Sequence, residues 1–234
     1  MRNKKGSHVD VIVSFVLFIV FVIFLFVLVK PGTDFSKNHK QTADSIKVSL
    51  ENRTKGEVTV VNLINGSSKN GENCISLEES GLEVSGLSFI AKDKEGNSLD
   101  VYDSSGRLEI SWKDNSGFFK VLYSSEEFNS HSANSGMNCL VGKIKSTRVS
   151  KEYLESKILA FISFYDTDYE NLKKELGISD REDFGFQFDY GNGTALGPEI
   201  PNVNVEIFAE EYQIDYLDKE GNRKFGTFLI YVWG

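Results

Sequence analysis

Nineteen consecutive residues, Val11 to Val29, read VIVSFVLFIVFVIFLFVLV, and only Ser14 among them is not strongly apolar. A helix rises 1.5 Å per residue, so the run measures roughly 28 Å. Val9 and Asp10 bring it to the ~30 Å of a bilayer's hydrocarbon core. A helix apolar on every side has no polar face to offer water, so the pattern predicts a single membrane span. Cleaved secretory signals have shorter apolar regions followed by a small-x-small site, whereas this run ends in Val29-Lys30-Pro31-Gly32. The segment is expected to stay attached.

The rest of the chain is acidic. The whole sequence carries a formal charge of −8; without residues 1–29, which hold Arg2, Lys4, Lys5 and Asp10, 23 basic side chains face 33 acidic ones, a net −10. Such a surface repels phosphate backbones, so no nucleic-acid partner is expected. Two cysteines, Cys74 and Cys139, lie beyond the span. An even count in an exported domain points to a disulfide, with two buried thiols as the alternative. Asn52, Asn65 and Asn192 each open an N-x-[ST] triplet and are glycosylation candidates. Arg2, Lys4 and Lys5 before the span balance Lys30, Lys37 and Lys40 after it, so charge alone does not orient it. The cysteines, the triplets and the short basic tail favour a cytoplasmic-membrane protein with its C-terminal domain outside the cytoplasm.

Around the span the order is Lys4-Lys5-Gly6, then Ser7-His8-Val9-Asp10, then the apolar run without interruption. This resembles the leader of type IV prepilins and of archaeal pilin-like proteins, a resemblance confined to about 30 residues. It implies cleavage between Gly6 and Ser7, a mature chain that begins with its own hydrophobic helix, and Asp10 as the helix-start carboxylate that pairs with a neighbouring subunit's amino group. It also implies copies of the chain, or other pilin-like subunits, as partners beside membrane lipid. Asp10 is fourth after that cut, where the bacterial pattern has Glu fifth, and His8 is unusual there. An ordinary single-pass anchor whose Asp10 reaches the interface beside two lysines is the other reading.

Pro31-Gly32 predicts a break or kink, followed by a polar helical stem from about Asp34 to Arg53 with Phe35, Ala43, Ile46 and Leu50 at helical spacing. From Glu57 to Tyr123 the period turns to two, as in Val58, Val60, Leu87, Phe89, Leu108, Ile110, Phe119 and Val121. Turn residues such as Asn65-Gly66 and Ser105-Gly106 punctuate it. Ser124 to Asn138 reads as a polar loop and Cys139 to Val149 as another strand. Ser150 is expected to cap one helix, with Leu154, Ile158, Phe161 and Ile162 on its apolar face. Thr167 and Glu170 form a capping-box pattern for a second, which Gly177 stops. Phe184, Phe186, Phe188 and Tyr190 then alternate with Gly185, Gln187 and Asp189; such a row is expected to be core rather than a sugar-stacking platform. Val203, Val205 and Ile207 continue the strand pattern, and Phe225 to Trp233 ends apolar on both faces, as a mid-sheet strand would. The pentapeptide DKEGN occurs at 93–97 and at 218–222 and reads as one hairpin turn used twice.

The expected fold is α+β: a basic leader over 1–10, the membrane helix over 11–29, a juxtamembrane stem over 30–56 and a β-rich antiparallel domain with two packed helices over 57–234. No catalytic, metal or cofactor motif emerges. The histidines, His8, His39 and His131, lack metal-ligand spacing, and HExxH, GxSxG and the phosphate-cradling glycine loops are absent from the sequence. A loop around Gly96 fails the calcium pattern, since Ala91 and Tyr102 fall where carboxylates are needed. The expectation is a non-enzymatic surface protein, either a pilin-like subunit of an extracellular filament or secretion apparatus, or a tethered ectodomain that binds a ligand without polymerising.

Overall fold

The structure, a computed structural model, describes residues 7–64, 74–77, 87–104, 107–111, 117–125, 128, 139–199 and 205–234. Its first element, α1 (Ser7–Thr54), is one continuous helix of 48 residues. Of the break or kink that Pro31-Gly32 predicts, the break does not occur. Pro31 lacks the N–H that would bond the carbonyl four residues earlier, a defect costing about 3 kcal/mol in a helix interior. The segments on both sides demand helix for independent reasons, and together they outweigh it. Nor is the second half a free stem: Ala43, Ile46 and Leu50 lie on one face at 0–1% exposure, inside the main core. The globular head therefore begins within this helix, well before residue 57.

Twelve strands follow among the described residues, in one mixed sheet. They are β1 (Lys55–Ile64), β2 (Cys74–Leu77), β3 (Ser88–Lys92), β4 (Ser98–Ser104), β5 (Arg107–Ser111) and β6 (Phe118–Ser124), then β7 (Leu140–Val141), β8 (Lys143–Leu154), β9 (Asp183–Asp189), β10 (Ala195–Leu196), β11 (Ile207–Leu217) and β12 (Arg223–Trp233). The order across the sheet is β10-β9-β12-β11-β8-β1-β6-β3-β4-β5-β2-β7. Most neighbours are antiparallel, as expected, but β11 runs parallel to β8 and β2 parallel to β7. Strand β12 sits between β9 and β11, which is why its end is apolar on both faces.

Two cores divide the sheet. The first lies under the helices and gathers Phe184, Phe186 and Phe188 of β9, all 0% exposed, with Phe228, Ile230 and Val232 of β12 and the buried face of α1. The aromatic row is thus core, as predicted. The second core unites Val61 and Leu63 of β1 with Ile75, Val101, Ile110, Phe119 and Val121. Its members come from strands far apart in the sheet order, so this half of the sheet folds over to face itself. A smaller cluster of Val58, Ile90, Leu122, Phe128, Leu154 and Leu217 joins the two.

The head's own helices are α2 (Glu155–Thr167) and α3 (Tyr169–Glu175). Ser150 does not cap α2. Strand β8 stays extended to Leu154 because Tyr153 and Leu154 pair with Tyr216 and Leu217, and the Ser150 hydroxyl donates to Glu152 instead (2.9 Å). Nor does Thr167 form the capping box; its hydroxyl donates back to the Ser163 carbonyl at 2.9 Å, and α3 begins after Asp168. Gly177 does end α3, with φ +68°.

The two DKEGN turns take the same form. In each, the first Asp amide donates to the last Asn carbonyl at 3.0 Å and the Asp carboxylate accepts from the Asn amide, at 2.8 Å for Asp93 and 2.7 Å for Asp218. Gly96 and Gly221 supply φ of +88° and +68°. Leu82, Val84, Trp112, Val203 and the turns at Asn65-Gly66, Asn70-Gly71 and Ser105-Gly106 lie outside the described residues.

Candidate functional site

Among the described residues, the first half of α1 has no protein around it. From Asp10 to Leu28 the mean hydropathy is 3.5 and none of the stretch is buried. Seventeen large apolar side chains in it are 41–69% exposed, including Phe15, Phe18, Phe21 and Phe24. Burying one such side chain is worth roughly 1.5–3 kcal/mol, so a run this long strongly favours an apolar surrounding over water. By length and composition it can cross a membrane. Among the described residues α1 starts at Ser7, and Asp10 lies exposed in its first described turn, where a helix start favours a carboxylate. Gly6 lies outside the described residues.

Where the helix meets the head, polar contacts fix it against the start of β9. His39 is 3% exposed with its Nδ1 3.2 Å from Glu182 Oε1, and the Thr42 hydroxyl donates to Glu182 Oε2 at 3.0 Å. An open groove of about 450 Å³ runs alongside, between Asn38, Gln41 and Ser45 of α1 and Ser179 and Arg181 before β9. Further along, Lys47 lies over the Tyr212 ring (4.7 Å), Arg53 pairs with Glu175, and Lys55 lies over the Tyr153 ring (4.5 Å). A second polar knot holds α3 to β9: Asp183 accepts from Lys173 at 2.8 Å and from the Tyr169 hydroxyl at 2.9 Å. Partial burial works to raise the Asp183 pKa, but those two hydrogen bonds and the nearby ammonium hold it below the ordinary carboxylate value.

Chemistry is sparse elsewhere. No group of three or more His, Cys, Asp and Glu side chains among the described residues could hold a metal ion. Tyr153, Tyr165, Tyr169, Tyr190, Tyr212, Tyr216 and Tyr231 all have raised pKa values, Tyr190 and Tyr231 at about 12, and each owes the shift first to burial. Tyr190 packs beside Phe188 and Tyr231 is buried against Trp233, while Tyr153 and Tyr212 line an open cleft of about 540 Å³ together with Lys47 and Glu51 of α1.

The remaining candidates fall in different places. Cys74 and Cys139 form a disulfide, with Cα atoms 5.0 Å apart, closing a separation of 65 residues beside the folded-over half of the sheet. Asn52 is exposed on α1, but the hydroxyl of its Thr54 is buried and donates to the Leu50 carbonyl. Asn192 sits on an exposed turn, where its side-chain oxygen accepts from the Thr194 amide at 2.9 Å. Asn65 and His131 lie outside the described residues. Sequence reasoning missed the His39–Thr42–Glu182 contact, because its partners are some 140 residues apart and no local pattern links them. No family model, curated protein or solved structure matches this chain.

Proposed function

We propose that this chain is a membrane-anchored, pilin-like surface protein, a structural or minor subunit of an extracellular filament or secretion apparatus, working by assembly and contact rather than by turnover. The observation that carries the reading is α1 itself. One rod presents an apolar half on every side and seats its other half in the core of the head. Whatever the apolar half packs against is thereby coupled mechanically to the head, with no flexible linker between.

The Cys74–Cys139 disulfide supports placing the head outside the cytoplasm, since such bridges persist in oxidising compartments. The resemblance of the leader supports processing between Gly6 and Ser7, which would put a free amino group one helical turn from Asp10. The test is mass spectrometry of the native N-terminus of protein purified from membranes. A chain starting at Ser7 supports the reading. An intact Met1, or Arg2 after loss of Met1, overturns it in favour of a plain anchor.

A further inference from the structure

Strands at the two ends of the sheet, β10 and β7, have only two residues each, a usual way of blunting an edge. Among the described residues, the long open edges are in the middle. Strand β8 pairs with β1 from Lys143 to Tyr153, but its other side meets β11 only through Tyr153 and Leu154. Strand β11 pairs with β12 along its whole length, and its other side meets β8 only through Tyr216 and Leu217. From that junction the two strands part, leaving a cleft of about 540 Å³ at the apex between Lys151–Tyr153 and Tyr212–Asp215, with Lys47 and Glu51 of α1 and Lys55 of β1 lining its third side. Residues 143–152 and 207–215 therefore each present a row of backbone groups with no strand partner among the described residues. At the apex the buried Tyr212 hydroxyl finds no hydrogen-bond partner among them either.

The two edges carry opposite charge. Lys143, Lys145, Arg148 and Lys151 lie on β8 with no acid between them, and all four are exposed on a chain whose net charge is −8. None forms an ion pair within the described residues. The facing stretch of β11 carries Glu210, Glu211 and Asp215 and no base, although Asp215 already lies 3.8 Å from Arg223 of β12. Like charges on adjacent strands repel and opposite charges attract, so β8 against β8 and β11 against β11 are both disfavoured, while β8 against β11 is favoured. Within one copy the two edges diverge and cannot satisfy each other.

We propose that the β8 edge of one copy joins the β11 edge of a second copy, so that heads associate head-to-tail through a continued sheet. Such a contact uses two different surfaces, leaves one of each free at the ends, and grows as an open chain. The inference rests on the assembly reading above for the expectation that copies meet, and adds which surfaces meet.

The experiment mixes unlabelled and ¹⁵N-labelled full-length chains in the same membranes and treats them with a zero-length carbodiimide, which joins amines to carboxylates in contact. Cross-links of mixed isotope between Lys143, Lys145 or Lys151 and Glu210, Glu211 or Asp215 are expected. K145E/R148E in one chain should weaken association at least tenfold, as should E211K in another, and mixing the two variants should restore it, which a folding defect would not. Links confined to a single isotope, links from β8 to a different protein, or mixed links only at other surfaces overturn the proposal. A chain that starts at Ser7 yet gives no mixed links between these strands sinks the edge pairing and leaves the filament reading standing. Mixed links on a chain that keeps Met1 or Arg2 do the reverse.

Discussion

Replacing Ile46 by alanine separates a helix that belongs to the head from a stem that merely carries it. Ile46 is 0% exposed and packs with Ala43, Leu50, Ile158, Phe161 and the β9 phenylalanines. Truncating a buried Ile or Leu to Ala removes its transfer free energy and leaves a cavity, about 2–5 kcal/mol together. Taking about 3 kcal/mol, a head of this size should lose roughly 6–12 °C in Tm. Val48, two residues along the same helix, is 59% exposed, so V48A should stay within about 0.5 kcal/mol of the parent. I46A/L50A removes two neighbours from one cluster, so its cost will not be additive, and should approach the total stability of a typical domain, about 5–15 kcal/mol. Thermal melts of full-length protein in detergent micelles, followed by near-ultraviolet circular dichroism, report the head's aromatic packing. Equal melting temperatures for I46A and V48A would mean that the second half of α1 contributes nothing to the core.

Other outcomes follow from the same structure. Changing both Cys74 and Cys139 to serine should cost about 4 kcal/mol by loop entropy, or roughly 8–16 °C, and the parent in reductant should fall by the same amount. Gly185→Ala should destabilise by about 1–3 kcal/mol, because its Cβ would sit 2.6 Å from Cζ of the buried Tyr231 ring; denaturant midpoints at unchanged slope check this. Acid should weaken the head. Burial works to raise the pKa values of both Asp183 and Asp218, but hydrogen bonds from Lys173 and Tyr169, and from Lys224 and Asn222, hold both below normal. Their stabilisation is complete above the ordinary carboxylate range and is lost as pH falls through it and below. D183N should flatten that acid limb in a pH series of denaturant titrations, and an unchanged limb would show that the acid sensitivity lies elsewhere.

Features set by neighbouring residues were legible in the sequence. The apolar run, the alternating Phe184, Phe186 and Phe188, and the paired DKEGN turns each declare themselves within a few positions, and the structure places them accordingly. The disulfide was legible from cysteine count alone, with its pairing forced by having only two. Features set by partners far along the chain were not. Pro31-Gly32 reads as a break or kink because local propensity is all a sequence displays, whereas the helix continues under the demands of the segments on either side of it. Ser150 resembles a cap only until Tyr153 and Leu154 are seen to pair with Tyr216 and Leu217. Edge status is the least local property of all: Lys143–Lys151 looks like any polar strand, and only the sheet order reveals that one side is open.

In the membrane-anchored reading proposed above, one unbroken helix passes from lipid into a protein core. Amide hydrogen exchange on full-length protein in lipid nanodiscs tests it most directly. Residues 10–28 should be protected by the bilayer, while residues 43–54 should exchange only through global unfolding of the head, at the same free energy as β9 and β12. Rapid exchange over 43–54 beside a protected β9 would contradict the claim, since the helix would then be a tether outside the fold.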